Sequence, residues 1–396
     1  MSEQPVNRRA LAFRALTLIG LVLLAAAFFA PGWWVALKAP NYPEATFPQG
    51  IRIVFHMDSV RNGCVIRSSK EVEETEALDC THEMDTINHY VGMYPIASGG
   101  PVEKSFSGFL FAMMGVMLIA FMTPGRVPRM AFSVVGYGAV AAWMAMTMYG
   151  ADGISYQGTG YLQGLVNGIG QDTVAEASDE DLAPIVKQLK ESLAKSGVGV
   201  GNAAPKAAPD ASRRQLIDIL KANYNIDNGK KPASEQQAWT GSGMQVMAWH
   251  YDKSLGRWFN DPAKNGRLTA IMTTAAKVLF WAVLAAMAFF VFAARSTRSI
   301  LYYVLVLVPA AVSIGFLAEY SGWLWWYGHS MNTMGAFTLK PFMPTVFGQG
   351  KVAQFTTYSY PHYGFGLLVA ATVVLLLAAL IRRKQLQEAG ASAEQV

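Results

Sequence analysis

Six apolar stretches of about 20 residues constrain this chain more than any other feature, because they contain almost no charged side chain. A helix of that length crosses a hydrocarbon layer of ~30 Å and satisfies its own backbone hydrogen bonds inside lipid. Only 15% of the 396 residues are charged, against about a quarter in ordinary soluble domains. The sequence therefore predicts a mainly α, polytopic membrane protein with six transmembrane helices. The predicted helices are residues 10–30, 107–123, 130–149, 271–294, 299–318 and 363–381.

The first apolar stretch is predicted to be a retained anchor. Its apolar run is long for a signal peptide, and Pro31-Gly-Trp-Trp follows where a small-residue cleavage site would be expected. The two indoles, Trp33 and Trp34, suit the interfacial belt of a membrane protein.

Basic residues near the helix ends predict the orientation, since Lys and Arg resist translocation and collect on the cytoplasmic side. They are Arg8, Arg9, Arg14, Arg126, Arg129, Arg295, Arg298, Arg382, Arg383 and Lys384. Both termini are therefore predicted to be cytoplasmic, in a bacterial inner membrane, with most of the non-membrane mass in the periplasm. This topology accounts for the net charge of +5, so no nucleic-acid partner is predicted.

The topology divides the chain into alternating membrane and external segments. The membrane segments are 1–30 (cytoplasmic N-terminus and helix 1), 107–149 (helices 2 and 3), 271–318 (helices 4 and 5) and 363–396 (helix 6 and cytoplasmic tail). The external segments are 31–106, 150–270 and 319–362.

Local patterns predict some secondary structure outside the membrane. The apolar and polar alternation over residues 51–56 predicts a strand. Residues 179–195 begin acidic and end basic, as surface helices do, and residues 212–222 predict a second helix. A flexible linker rich in Gly, Ala and Pro at 197–209 separates them. The segment 150–270 is therefore predicted to form a small α-rich lobe.

Both cysteines, Cys64 and Cys80, fall in the first external segment. Thiols oxidise on the periplasmic side of a bacterial inner membrane, so a disulfide closing the acidic run 70–79 is predicted. A pair of thiolate metal ligands is the alternative. The 15-residue gap without a CxxC motif does not decide between them.

All six histidines lie in the predicted external segments, and most have methionines nearby. Imidazole and thioether together favour soft or borderline cations, of which Cu(I) is the usual case outside the cytoplasm. His89 and Met93 would share one face of a helix, whereas His329 and Met331 would share one face of a strand. The candidate metal ligands are His89, Met93, Met244, Met247, His250, His329, Met331 and Met334.

A structural role is the alternative for each of these residues. The chain has 19 methionines, and several of them, such as Met113 and Met144, lie in predicted membrane helices, where they fill the core or face lipid. A single histidine and methionine pair is more often structural than metal-binding. Three separate clusters on one predicted face favour a metal site over coincidence.

The segment Asn88-His-Tyr-Val-Gly-Met resembles an NHYIGM-type signature of a family of bacterial inner-membrane proteins. Ala39-Pro-Asn-Tyr-Pro-Glu resembles the AP-YPEG element of that family, and residues 340–355 are similar to another shared segment. The family is associated with the maturation of copper enzymes, notably nitrous oxide reductase. The resemblance, which covers about half of the chain, implies copper handling on the periplasmic side with His89 and Met93 as the first ligands. The acidic stretch 61–85 departs from the family pattern and suggests a branch that serves another copper enzyme, such as a membrane monooxygenase.

Other functional classes lack their usual motifs. The sequence contains neither a GxxxxGK[ST] nucleotide loop nor a GxSxG nucleophile. No helix core offers a histidine for haem, and CxxCH is absent. An ion-coupled transporter normally keeps ionisable residues at mid-membrane depth. Glu319 is instead expected to cap the fifth helix at the outer surface.

The sequence thus favours a binding and delivery protein, rather than an enzyme, that positions Cu(I) for a partner copper enzyme or assembly factor. One alternative is a membrane subunit of a respiratory or monooxygenase complex that binds quinone or haem. The aromatic residues of that site would be Trp323, Trp325, Trp326 and Tyr327. Another alternative is a non-catalytic assembly subunit whose external lobe docks a partner.

Overall fold

Long apolar helices make up most of the fold. The computed structural model describes residues 8–64, 79–96, 99–169, 211–297, 299–337, 339–352 and 354–394. Within these ranges, five helices are long and apolar enough to cross a membrane. Numbered along the chain together with the shorter helices, they are α1 (Arg8–Phe29), α3 (Pro101–Met122), α4 (Arg126–Tyr149), α8 (Pro262–Ala293) and α11 (Tyr363–Glu394). The prediction of a polytopic helical membrane protein is confirmed.

The remaining predicted span is bent. A 3-10 turn (Ile300–Tyr303) leads into α9 (Val304–Ala310), and α10 (Val312–His329) follows at an angle of 56°. Pro309 lies inside α9 and has no backbone N–H to donate, which accounts for a break at this point. Because α10 continues to His329, Glu319 lies inside a helix, and the expectation that it caps the fifth helix is wrong.

Close packing joins the membrane helices. Helix α3 is the most deeply buried of the spans. Helix α1 packs along α11, where Gly20 lies so close to Leu375 that a larger side chain at residue 20 would overlap it. The hydroxyl of Tyr302, ahead of α9, donates to the backbone carbonyl of Phe121 in α3. These contacts hold α3 in the middle of the bundle.

A five-stranded antiparallel sheet lies at the end of the bundle where the long connecting segments meet. Its strands are β1 (Trp33–Lys38), β2 (Ile51–Phe55), β3 (Val60–Asn62), β4 (Gly348–Val352) and β5 (Phe355–Pro361). The strand order is β3-β2-β1-β5-β4, so the segments after α1 and before α11 form one sheet. The strand predicted at residues 51–56 is confirmed, and the other four were not predicted.

Trp33 anchors this sheet to the helices. It is 2% exposed, and its ring lies 5.4 Å from both Tyr320 and Phe365, on α10 and α11. Its indole N–H donates to the Ser359 hydroxyl at 2.9 Å. Trp33 was expected in the interfacial belt, but pairing of β1 between two other strands turns it into the core beneath the sheet.

Three further helices form a small lobe beside the sheet. They are α5 (Thr159–Ile169), α6 (Arg213–Gly229) and α7 (Gly243–Trp258), and α5 and α6 share an apolar core with the outer face of α7. The predicted helix at 212–222 is confirmed, since Ser212 and Gln215 form a capping box at its start. The predicted helix at 179–195 and the linker at 197–209 lie outside the described residues.

Cys64 and Cys80 form a disulfide, with their Cα atoms 6.0 Å apart. The bond ties the chain just after β3 to the first residue of α2 (Cys80–Tyr90). It therefore fixes the start of the helix that carries His89. The predicted disulfide is confirmed, and the alternative of a free thiolate pair is ruled out in this structure.

Removing this disulfide is expected to destabilise the extramembrane region. The two cysteines are 16 residues apart, and closing a loop of about 15 residues stabilises a fold by roughly 3 kcal/mol through the unfolded chain. The double variant Cys64→Ala with Cys80→Ala should therefore melt at a lower temperature in detergent, as followed by near-ultraviolet circular dichroism. Wild-type protein treated with a thiol reductant is the matched control. An unchanged melting temperature in both samples would contradict the expectation.

Candidate metal centre and the adjoining cavity

The 88–93 segment forms a turn at the end of α2. Asp79 caps the start of this helix by accepting from the backbone N–H groups of Thr81 and His82. The helix ends at Tyr90, and Gly92 adopts a left-handed backbone with φ +80°. The Met93 N–H then donates to the Asn88 carbonyl at 2.8 Å. His89 and Met93 therefore do not share a helical face as expected, because the helix stops between them.

The segment 329–337 docks against this turn. The Asn332 N–H donates to the Gly92 carbonyl at 2.7 Å, and the Phe337 N–H donates to the Tyr90 carbonyl at 2.9 Å. The Asn332 side chain also donates to the Tyr94 hydroxyl at 3.3 Å. Two segments more than 200 residues apart in sequence thus form one unit, which we name the docked turn (residues 88–94 and 329–337).

The docked turn brings His89, Met93 and Met331 to one aromatic cluster. The His89 ring lies 4.9 Å from Phe259 and 5.8 Å from Trp258. Met93 is 4% exposed and belongs to the same cluster as Phe259, and Met331 packs against this cluster. The His89 Nδ1 atom is buried and has no hydrogen-bond partner among the described residues. A ring nitrogen without a partner and two thioether side chains therefore belong to one group of residues packed around Phe259 and its aromatic neighbours.

The third predicted cluster consists of His329, Met331 and Met334. Of these, His329 and Met334 are exposed. His329 is the last residue of α10, is exposed, and stacks on Trp325 at 4.6 Å. Its Nδ1 lies 2.8 Å from the Trp325 carbonyl oxygen. Because His329 ends a helix, the expected strand geometry with Met331 is not formed. Met334 is 51% exposed.

The second predicted cluster consists of Met244, Met247 and His250, and it packs in a different part of the core. Met244 and Met247 on α7 pack among the membrane helices, and the Ser105 hydroxyl donates to the Met247 sulfur at 3.4 Å. The His250 Nε2–H donates to the Leu165 carbonyl at 2.9 Å. Burial lowers the pKa of His250 to about 4, so the ring is neutral at pH 7. The structure therefore packs Met331 against the cluster that contains Met93, and it places Met244, Met247 and His250 in separate packing.

Among the described residues, no three or more His, Cys, Asp or Glu side chains are grouped so that they could hold a metal ion. A metal centre in this part of the chain would therefore depend on thioether donors, which select soft cations.

A cavity of about 270 Å³ lies next to the docked turn, between the end of β2, the first half of α3 and α10. Its walls are mainly apolar and aromatic, and Glu103, Glu319 and His56 are among its polar residues. Trp323 and Tyr327, which the sequence suggested for a quinone or substrate site, line this cavity. Trp325 is instead exposed, and Trp326 stacks on Tyr94.

The carboxylates of this cavity were missed in the sequence because each looked like an ordinary helix-end charge. Glu103 follows Pro101 in the first turn of α3, where acidic residues are common. Its Oε1 accepts from the Trp323 indole N–H at 3.2 Å. The one available signal in the sequence was that Glu103 lies four residues before the apolar stretch 107–123 and that Glu319 directly follows the apolar stretch 299–318.

Comparisons with known proteins give no relative for this chain: no family model matches it, and no curated protein or solved structure matches it significantly.

Proposed function

We propose that this chain is an inner-membrane copper-binding protein that takes up Cu(I) on the periplasmic side and delivers or positions it for a partner copper enzyme. The observation that carries the proposal is the buried Nδ1 of His89, which has no hydrogen-bond partner among the described residues and whose ring packs on the same aromatic cluster as Met93 and Met331. The resemblance of residues 88–93 to the NHYIGM-type signature also supports His89 and Met93 as copper ligands.

The donor set favours a monovalent soft ion. One neutral imidazole and two thioethers carry no net charge, so burying Cu(I) with them leaves a single positive charge among aromatic rings. A divalent hard ion would need carboxylate or water ligands, which this cluster does not supply. A buried nitrogen lone pair without a donor is also costly unless a ligand occupies it.

Exposure decreases stepwise along the docked turn. Met334 is 51% exposed, Met331 is partly buried, and Met93 is 4% exposed. Thioethers at successive depths offer a route along which an ion changes ligands one at a time. Met334 and His329 would be the entry, and His89 with Met93 the inner site.

Two further features support a periplasmic position. The disulfide persists only in an oxidising compartment. Arg8 and Arg9 at the start of α1, and Arg126 and Arg129 at the start of α4, lie at the helix ends opposite the sheet, as the positive-inside rule requires for cytoplasmic loops.

The test is a Cu(I) competition titration of the purified full chain against a chromogenic chelator, with ascorbate to keep copper reduced. We expect one Cu(I) per chain. The variant His89→Ala with Met93→Leu and Met331→Leu should lose affinity by at least about 100-fold, because even supporting groups of a metal site are worth roughly 10–100-fold. Leucine replaces methionine with little change of volume, so the fold is preserved.

The matched control is Met244→Leu with Met247→Leu, which removes two buried thioethers from α7. This variant is expected to bind Cu(I) as the wild type does. Loss of binding in the control, or wild-type binding by the triple variant, would overturn the assignment of the site. Absence of Cu(I) binding by the wild type would overturn the function.

A further inference from the structure

We infer that the cavity between β2, α3 and α10 binds a small organic ammonium ion with an apolar body. This site is separate from the copper ligands proposed above, since none of His89, Met93 and Met331 lines it. The inference rests on the volume of the cavity, the placement of its polar atoms and the chemistry of its walls.

The polar groups converge on one point of the wall. A Cβ atom at Gly100 would lie 3.6 Å from Glu103 Oε2, 3.7 Å from Glu319 Oε1 and 3.8 Å from Trp323 Nε1. Glycine at this position, with φ +62°, leaves that space open. Two carboxylates from different helices therefore face the same small volume.

The polar atoms of the cavity that still lack a hydrogen-bond partner among the described residues can accept hydrogen bonds. Glu103 Oε1 already accepts from Trp323, but Glu103 Oε2 is buried and has no partner among the described residues. His56 Nδ1 is also buried without a partner there. Burial, assisted by Arg61, lowers the pKa of His56 to about 4, so this ring is neutral and able to accept. A ligand that donates several hydrogen bonds suits this set, and an anion does not.

The walls around the carboxylates favour a cation over a neutral donor. Phe316, Tyr320 and Trp323 line the cavity, and the faces of aromatic rings attract ammonium groups. Lys104 also lies in the wall, where its single positive charge is attracted to both Glu103 and Glu319. The absence of a His, Cys, Asp or Glu triad among the described residues argues against a bare metal ion.

The other end of the cavity is apolar. Leu110, Phe111, Met114 and Val312 line it, in the parts of α3 and α10 that enter the predicted membrane layer. A ligand with an ammonium head and an aromatic or alkyl body would therefore place its head near Gly100 and its body against these side chains. Both a free amine and the ethanolamine head of a phospholipid have this chemistry.

The test uses 2-phenylethylammonium as the probe and the full chain in nanodiscs made of phosphatidylcholine, with binding measured by calorimetry. We expect saturable binding that falls by at least about 10-fold in Glu103→Gln and in Glu319→Gln, since each substitution keeps the shape of the side chain but replaces a carboxyl oxygen that can accept hydrogen bonds by an amide nitrogen that only donates them. The control is Glu44→Gln, an exposed carboxylate paired with Lys38, which should bind as the wild type does.

Neutral 2-phenylethanol has the same shape without the charge and is expected to bind at least 10-fold more weakly. Equal binding of the alcohol would overturn the inference and indicate a hydroxyl-headed ligand, such as a quinol. No binding of the ammonium probe, or unchanged binding in both glutamine variants, would also overturn it.

Nanodiscs that contain phosphatidylethanolamine distinguish the two sources of the ammonium group. If the ethanolamine head of the lipid occupies the site, it competes with the probe. Weaker apparent binding of the probe in these nanodiscs would therefore support the site and identify the lipid head as its natural occupant. Unchanged probe affinity would support the site with a soluble amine as its occupant. Circular dichroism of each glutamine variant establishes that the fold is retained.

Discussion

Replacing Trp33 by alanine is expected to lower the free energy of unfolding by about 3–5 kcal/mol, the usual cost of truncating a buried tryptophan or phenylalanine. Trp33 is 2% exposed and contacts aromatic rings from α10 and α11. Its loss leaves a cavity exactly where the sheet meets the bundle. The Ser359 hydroxyl, which also bonds Tyr320 and donates to the Val346 carbonyl, would lose its indole donor.

Trp34, the next residue, is the matched control. It points away from the core, where Arg52 lies over its ring at 4.3 Å. Trp34 is half-buried and its ring also lies 5.3 Å from that of Tyr360, so removing it should cost about 1–2.5 kcal/mol, the values of one cation–π pair and one aromatic pair together. Thermal melts of the two variants in detergent, followed by near-ultraviolet circular dichroism, measure the difference. Similar melting temperatures for both would mean that Trp33 is not the anchor of the sheet.

Substituting Gly92 by alanine is expected to separate the two halves of the docked turn and to weaken Cu(I) binding. A Cβ at residue 92 would lie 2.5 Å from the Asn332 carbonyl oxygen, which is backbone and cannot rotate away. The left-handed backbone adds about 1–2 kcal/mol for any residue with a Cβ. The chain must therefore give up the bond from Asn332 N–H to the Gly92 carbonyl, and Met331, the residue before Asn332, moves away from the aromatic cluster.

The measurement is the same Cu(I) competition titration, with an expected fall in affinity of at least about 10-fold, because a supporting contact of a metal site is worth roughly that much. Gly256→Ala is the control, since nothing lies within 4 Å of its Cβ position in α7. That change should leave Cu(I) binding unaltered and stabilise the helix by about 0.5–1 kcal/mol. Wild-type affinity in Gly92→Ala would show that Met331 is not a ligand.

Several features were predictable because their physical cause is local. The apolar stretches predict membrane helices since length and hydropathy alone decide whether a helix is stable in lipid. Ser212 and Gln215 predict the start of α6, because both halves of a capping box lie within one turn. Cys64 and Cys80 are close in sequence and in the same segment, so their pairing was the simplest outcome.

The candidate sites were less predictable, because a side chain's surroundings depend on segments far away in the chain. The donors His89 and Met331 were identified by residue type, but their packing against the same aromatic cluster depends on the docking of 329–337 against Gly92. Met247 has the same chemistry as Met93 and was predicted equally, yet it packs among membrane helices. Glu103 and Glu319 face one cavity only because α10 continues past the predicted end of its span.

The sequence by itself determined that this chain is a helical membrane protein with a disulfide outside the apolar stretches, because those properties follow from runs of neighbouring residues. The tertiary structure alone decided that β1 pairs with β5 and that Trp33 is buried beneath the sheet. It also decided which imidazole, thioether and carboxylate groups lie near one another. Strand pairing and side-chain burial depend on contacts between residues hundreds of positions apart, and no local pattern of hydrophobicity or charge encodes them.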